Sequence, residues 1–418
     1  MSILKQLVGA LLCACACVAC VNGTEIAADD AGADARRVDG GSPDAPPGTD
    51  AMVPRTGWPV SFGGESPDLT TDLAVDDAGN LYVAGTYSSP ATFGDTVLTG
   101  GFGEAFVASY TSEGALRWVE AIGTRSSIVG DRVHVAVSGD QVVVAANFNN
   151  SLTRDGETLE PVGADILVAA FSAADGSFRW WVQEGGANDQ RALDLLADSS
   201  GIYVAGEFTE VATIGGTSLS GERFAGVVAA YDSSGAFRWV RAPAEGASGP
   251  LTALTRSGDA LLAAGEFLGG ESTITVGGTP LTGEFGDVYL LALSTDNEVR
   301  WAREAAQGGV QVREMVSVGG STFAVASFRG AAVVGDETFV TSGTFDVLVM
   351  AFDATGTPQW GRSYGSDDLA PIDHGTGIAT DGTNLFVTGQ VAGAIDFGGG
   401  ELDPTPFMSN YNAFVLEL

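Results

Sequence analysis

The chain has a single lysine, Lys5, among its 418 residues, and its formal net charge is −34. Nucleic-acid binding rests on neutralising phosphates with Lys and Arg, so this balance excludes it. It also disfavours docking on anionic membrane surfaces, and most simply keeps the folded surface soluble. Cysteine is absent after Cys20, so an exported domain here holds together through its core and not through disulfides. Only His134 and His374 offer imidazole. No G-x-S-x-G elbow, Walker loop, HExxH or metal-spaced CxxC is present. No cofactor is implied.

What the chain does have is glycine, 59 residues of it, and short apolar runs between turns, the signature of strands rather than helices. It also repeats itself. Gly114-Ala115-Leu116-Arg117-Trp118 returns as Gly176…Trp180, Gly235…Trp239, Asn297…Trp301 and Gly356…Trp360, with Trp58 one period upstream. The Trp-to-Trp intervals are 60, 62, 59, 62 and 59 residues. A fixed period of this size means a repeat architecture.

Each unit reads as an alternating strand such as Asp72–Val75, a Gly/Asp/Asn turn, and a second apolar strand such as Leu81–Tyr87. A small device follows, Phe93-Gly94-Asp95-Thr96-Val97-Leu98 and its copies at Ile214, Val276, Val334 and Phe397, which predicts a short inserted hairpin. A third strand such as Ala105–Tyr110 and the Trp strand complete the unit. Where Gly is replaced four residues before a Trp, the substitute is Asn297, so a positive φ is expected at this turn. The set Trp58, Trp118, Trp180, Trp239, Trp301 and Trp360 is read as structural wedges between sheets.

Four main strands in six units predict an all-β fold, a six-bladed β-propeller. The last unit stops without a Trp strand, and the missing piece, Gly57–Gly64, stands at the front of the domain. The N-terminal Trp58 strand is therefore expected to pair with the C-terminal blade and close the ring, leaving no exposed end sheet.

The expected domains are a signal segment at 1–19, a tether at 20–55 rich in Asp, Ala, Gly and Pro, and the propeller at 56–418. The apolar run after Lys5 is too short to span a membrane. The small residues before its cysteines resemble a bacterial lipoprotein signal, which implies lipidation of Cys20, with Cys15 and Cys17 as alternatives; a plain cleaved signal is the bland reading.

Tyr364-Gly365-Ser366 with Gly377–Gly389, and Gly63-Gly64-Glu65 with Leu73–Gly85, resemble the bacterial SBBP β-propeller repeat. The resemblance covers about residues 57 to 418 and is loose in the fourth and fifth units. It implies an exported, often lipid-anchored propeller and names no reaction. The turn Asp232–Trp239 is similar to the aspartate box of sialidase propellers, but two of its gaps are each one residue too long.

Among candidate functional residues, Asp72, His134 and Asp194 fall at matching offsets and are expected at a polar channel mouth if they face the axis; solvated strand ends are the bland alternative. Asp367, Asp368, Asp373 and His374 form the weak candidates for a divalent ion, against a plain polar loop. Glu104, Asp165, Asp287 and Asp346 recur before the third strand, which argues for a structural role on exposed backbone N–H groups. Arg117, Arg179, Arg238 and Arg300 are expected to pair with carboxylates on an outer strand. The function expected is a non-catalytic, lipid-anchored envelope scaffold, a monomer, binding a protein or glycan on the face of the inserted hairpins. An exported polysaccharide hydrolase or lyase using axial carboxylates is the alternative, and a structural spacer is the third reading.

Overall fold

The computed structural model describes residues 60–125, 132–221, 224–242, 244–245, 248–270, 272–366, 372–398, 401–402 and 412–418. The expected signal and tether, Cys20, Trp58, Asp367 and Asp368 lie outside these. The described residues contain strands and no helix, and they form a six-bladed β-propeller of antiparallel sheets.

The inner strands, which touch one another around the axis, are Leu69–Val75, His134–Ser138, Gln190–Asp198, Ser248–Ser257, Val310–Val318 and His374–Thr380. The outer strands that carry tryptophan are Leu116–Arg125, Phe178–Glu184, Phe237–Arg241, Val299–Ala306 and Pro358–Tyr364. Blades one to five are four-stranded; the sixth shows three strands among the described residues, ending in Asn412–Glu417. Central strands are buried on both faces, as Gln141–Phe148 and Asp346–Phe352 are throughout, because each sheet packs against a neighbour on either side. Separate apolar clusters fill the five seams from blade one to blade six.

The tryptophans are the wedges in this packing. A Cβ placed on Gly176 would lie 2.7 Å from the ring of Trp118, one on Gly235 2.6 Å from Trp180, and one on Gly356 within 2.4 Å of Trp301. The indole of one blade thus lies on the turn of the next, and the repeated Gly and the repeated Trp are two halves of one contact. The φ angles there are positive, 75° at Gly176, 82° at Gly235 and 76° at Gly356. Asn297 takes the same conformation at 73°, and Arg241 Nε and Nη2 donate to its side-chain and backbone oxygens. Trp118 and Trp239 also donate their indole N–H to carbonyls in the next blade, Ala173 and Thr295.

The closing ribbon is described only from Val60. Phe62 stacks on Phe93 at 4.6 Å, and Gly63 pairs with Thr92 in the inserted hairpin of blade one. The same bridge joins Gly185, after the Trp strand of blade two, to Thr213 in blade three, and Gln307 of blade four to Val333 in blade five. Val60–Gly63 therefore stands where the tail of a preceding Trp strand belongs, which is the place ring closure assigns to it.

Every blade carries an inserted hairpin. The one in blade two, Leu152–Arg154 with Glu157–Leu159, escapes the sequence pattern because Arg154 stands where the others have an apolar residue. Its guanidinium lies over Phe171 and Phe178 at 5.4 and 5.2 Å, and it bonds Glu120, so a long aliphatic stem substitutes for an apolar side chain.

Candidate functional site at the propeller axis

The inner strands of blades one, three and five each carry a β-bulge beside a carboxylate: Asp72 after Thr70, Asp194 after Ala192 and Glu314 after Val312. A bulge bends the strand and re-aims the side chain beside it. In each case that side chain crosses to the next blade. Asp72 Oδ2 accepts the N–H of Val135 at 2.9 Å, Asp194 Oδ2 that of Leu254 at 2.5 Å, and Glu314 Oε2 that of Ile378 at 3.0 Å. The second oxygens of Asp72 and Asp194 accept their own following amides, Leu73 and Leu195, each at 2.7 Å. Acids on the odd blades thus bracket the inner strands of the even ones. The matching positions on the even blades, judged by their second-strand partners, are His134, Ala253 and Gly377.

These acids line a cavity of about 300 Å³ together with Leu73, Val75, Val137, Leu195 and Met315. Burial pushes Asp72 up to about 6, against the pull of the two N–H bonds and of Arg132. Burial, reinforced by the Asp72 charge, takes Glu314 up to about 7. Asp194 is raised well above the usual range, first by burial and then by Glu314 and Asp72. The Asp72 charge therefore reaches both Glu314 and Asp194, and the Glu314 charge reaches Asp194.

His134 is buried, not at a channel mouth. Burial, then Arg132, lowers its pKa to about 3, so the 3.8 Å approach of Nδ1 to Asp72 is not an ion pair at neutral pH. Among the described residues its Nε2 has no hydrogen-bond partner. Asp72 and Asp194 both line the axial cavity, and the Asp72 side chain is 24% exposed. Glu314, the third member, was missed because the repeat is loose in its unit. A two-unit period was the available signal, since Asp72, Asp194 and Glu314 are 122 and 120 residues apart.

The candidate ion site is not assembled among the described residues. Asp373 Oδ2 accepts both the N–H and the hydroxyl of Ser366, and Oδ1 accepts Ala392 N–H, so this carboxylate ties a link between blades. His374 Nδ1 bonds Ser327 Oγ at 3.0 Å, and burial lowers its pKa to about 4. Among the described residues no group of three or more His, Cys, Asp or Glu is placed to hold a metal.

The recurrent acids before the third strand do cap backbone N–H groups. Asp287 accepts Glu284 and Gly308, Glu104 accepts Gly101 and the Tyr87 hydroxyl, and Asp346 accepts Ser342. The arginines before tryptophan behave otherwise than expected. Arg179 and Arg300 make two-pronged contacts to Asp140 and Asp259, which lie in the turn between inner and second strands, not on an outer strand. Arg117 instead reaches the hydroxyls of Tyr82 and Ser109, and Arg238 reaches the carbonyls of Ser200 and Thr295 and pairs at 3.7 Å with Asp296 in the turn of the next blade; their own blades offer no Asp at the turn position of Asp140 and Asp259.

No protein-family profile matches the chain, and no curated protein does, so the likeness to the SBBP repeat stands on the residues quoted for it. Solved structures are similar in shape. A hydrazine synthase of Kuenenia stuttgartiensis shares 11% identity at TM-score 0.44, over 77% of this chain and 76% of that one. A family PL25 ulvan lyase shares 11% at 0.37, over 79% and 81%. A protein of unknown function from Dyadobacter fermentans DSM 18053 shares 9% at 0.42, over 84% and 94%. Likenesses this distant carry no argument about chemistry, which has to come from the site.

Proposed function

We propose that this protein is a non-catalytic binding propeller, exported and held at the bacterial envelope through a lipid on Cys20, that captures an envelope protein or glycan on the face of its inserted hairpins. The observation that carries the reading is where apolar surface is left open. Of the nine large apolar side chains exposed among the described residues, six (Val97, Phe102, Val162, Val211, Phe285 and Val340) lie on the inserted hairpins or on their links to the third strand. Phe102 and Phe285 are 64% and 63% exposed at matching places in blades one and four. Exposed aromatic side chains on a polar surface are the usual anchors of a recognition face.

The axial acids support the same reading from the other side. General acid–base work needs a carboxyl oxygen within hydrogen-bond reach of the substrate. Here both oxygens of Asp72 and of Asp194 are engaged by backbone N–H groups, in one arrangement repeated around the ring. The test is capture from envelope protein and glycan fractions by the full-length protein, repeated with Phe102→Ala and Phe285→Ala. The reading expects specific capture, weakened about tenfold or more by the double substitution, as for loss of interface anchors. Turnover of a polysaccharide, abolished by Asp194→Asn, would replace it with a hydrolase or lyase; no specific capture would favour a spacer. Fatty-acid labelling lost in Cys20→Ala tests the anchor, and retained label moves it to Cys15 or Cys17.

A further inference from the structure

The axial acids do something that ligand binding does not require. We propose that Asp72, Asp194 and Glu314 form a proton-loaded clasp, which joins alternate blades tightly while it holds protons and loosens the ring as it gives them up at rising pH. This is independent of what the hairpin face binds.

The geometry comes first. Each acid starts from a bulge on an odd blade and ends on a backbone amide of the even blade that follows it. The six inner strands are thereby joined as three bracketed pairs, one to two, three to four and five to six. A carboxyl can accept these N–H bonds through its oxygens whether or not it is ionised. What ionisation adds is charge, and three like charges lining one cavity repel one another. The three acids line the same cavity, and the Asp72 charge acts on both Glu314 and Asp194. Among the described residues the other ionisable groups that act on or approach them are Arg132, on the link into blade two, and His134, which is neutral. Arg132 draws down Asp72 and Glu314.

The sign follows from linkage. A carboxyl whose folded pKa lies above its unfolded value favours the folded state at low pH. That contribution is complete below the unfolded pKa, near 4 for a free carboxyl, and is lost as pH rises through the folded pKa. For Asp72 and Glu314 those folded values are about 6 and about 7, so the window runs from about pH 4 to 7, and Asp194 is raised in the same direction. His134 and His374 act in the opposite sense. Their pKa values are lowered on folding, so they add stability above about pH 6.5 that is lost as pH falls. A pH profile of the wild type alone would mix the two effects, and comparison with a variant separates them.

The experiment is urea unfolding of the full-length protein and of Glu314→Gln at several pH values between about 5 and 8. Glutamine keeps an oxygen that accepts an N–H bond and removes the proton. One proton held only by the folded state changes the folding constant by about tenfold per pH unit. The ratio of folding constants, wild type over variant, should therefore fall about tenfold per unit from about pH 5 to about 7 and flatten beyond. Asp72→Asn should show the same fall up to about pH 6, and it serves alone if Glu314→Gln does not fold. Ratios that stay flat from about pH 5 to 6, or that rise, overturn the clasp.

Discussion

Replacing Gly235 with alanine tests the wedge between blades in a way that can be worked out in advance. Two costs are added. The first is backbone: φ at Gly235 is 82°, and an L-residue in that region costs roughly 1–2 kcal/mol. The second is steric. The new Cβ would stand 2.6 Å from Cε3 and 2.8 Å from Cδ2 of Trp180, where carbon atoms prefer about 3.5–4.0 Å. The indole has to retreat by nearly an ångström from its place between two sheets, and overpacking of this kind costs about 1–3 kcal/mol. The sum is roughly 2–5 kcal/mol, a large fraction of the stability of an ordinary domain. Gly258 provides the control. Its φ is also positive, at 59°, but nothing lies within 4 Å of its added Cβ, so Gly258→Ala incurs only the backbone cost. Urea unfolding of the two variants gives the comparison. Gly235→Ala should be the less stable by about 1–3 kcal/mol, and that excess should shrink when Trp180 is also cut back to leucine. Equal losses at Gly235 and Gly258 would refute the wedge.

Asp287→Ala leaves the N–H groups of Glu284 and Gly308 without their acceptor and should cost about 2–4 kcal/mol in urea unfolding, with Asp287→Asn milder. The exposed pair Arg300–Asp259 should matter far less, with Arg300→Ala unfolding close to the wild type in the same assay. Both histidines should remain neutral down to about pH 5, since their pKa values are lowered to about 3 and about 4. Their ring-proton NMR shifts should then stay flat from pH 8 to 5; an inflection near 6.5 would place the rings in solvent.

The ring was legible because its cause repeats. A Trp that needs a Gly in the next blade has to recur at the period of the blade, and the single exception, Asn297, showed the required backbone conformation by being the residue that tolerates it. The axial acids were half legible. Asp72 and Asp194 share an offset, but Glu314 belongs to an alternation of two units, which a search unit by unit passes over. Burial was not legible at all. His134 looks like any strand-end histidine until six inner strands are set around one axis. Of the weak ion-site candidates near His374, Asp367 and Asp368 lie outside the described residues, and Asp373 is taken by Ser366 and Ala392, two backbone contacts that no side-chain pattern announces.

The claim beneath all of this is that the front of the domain completes the last blade, and amide hydrogen exchange along Asn412–Glu417 tests it most directly. In the full-length protein these amides should be protected about as well as those of Ala225–Tyr231, an interior strand of blade three. Deleting residues 57–64 should strip that protection from the last strand while leaving blade three protected, and a peptide of the deleted sequence should restore it. Exchange along Asn412–Glu417 that is the same with and without residues 57–64 would contradict the closed ring.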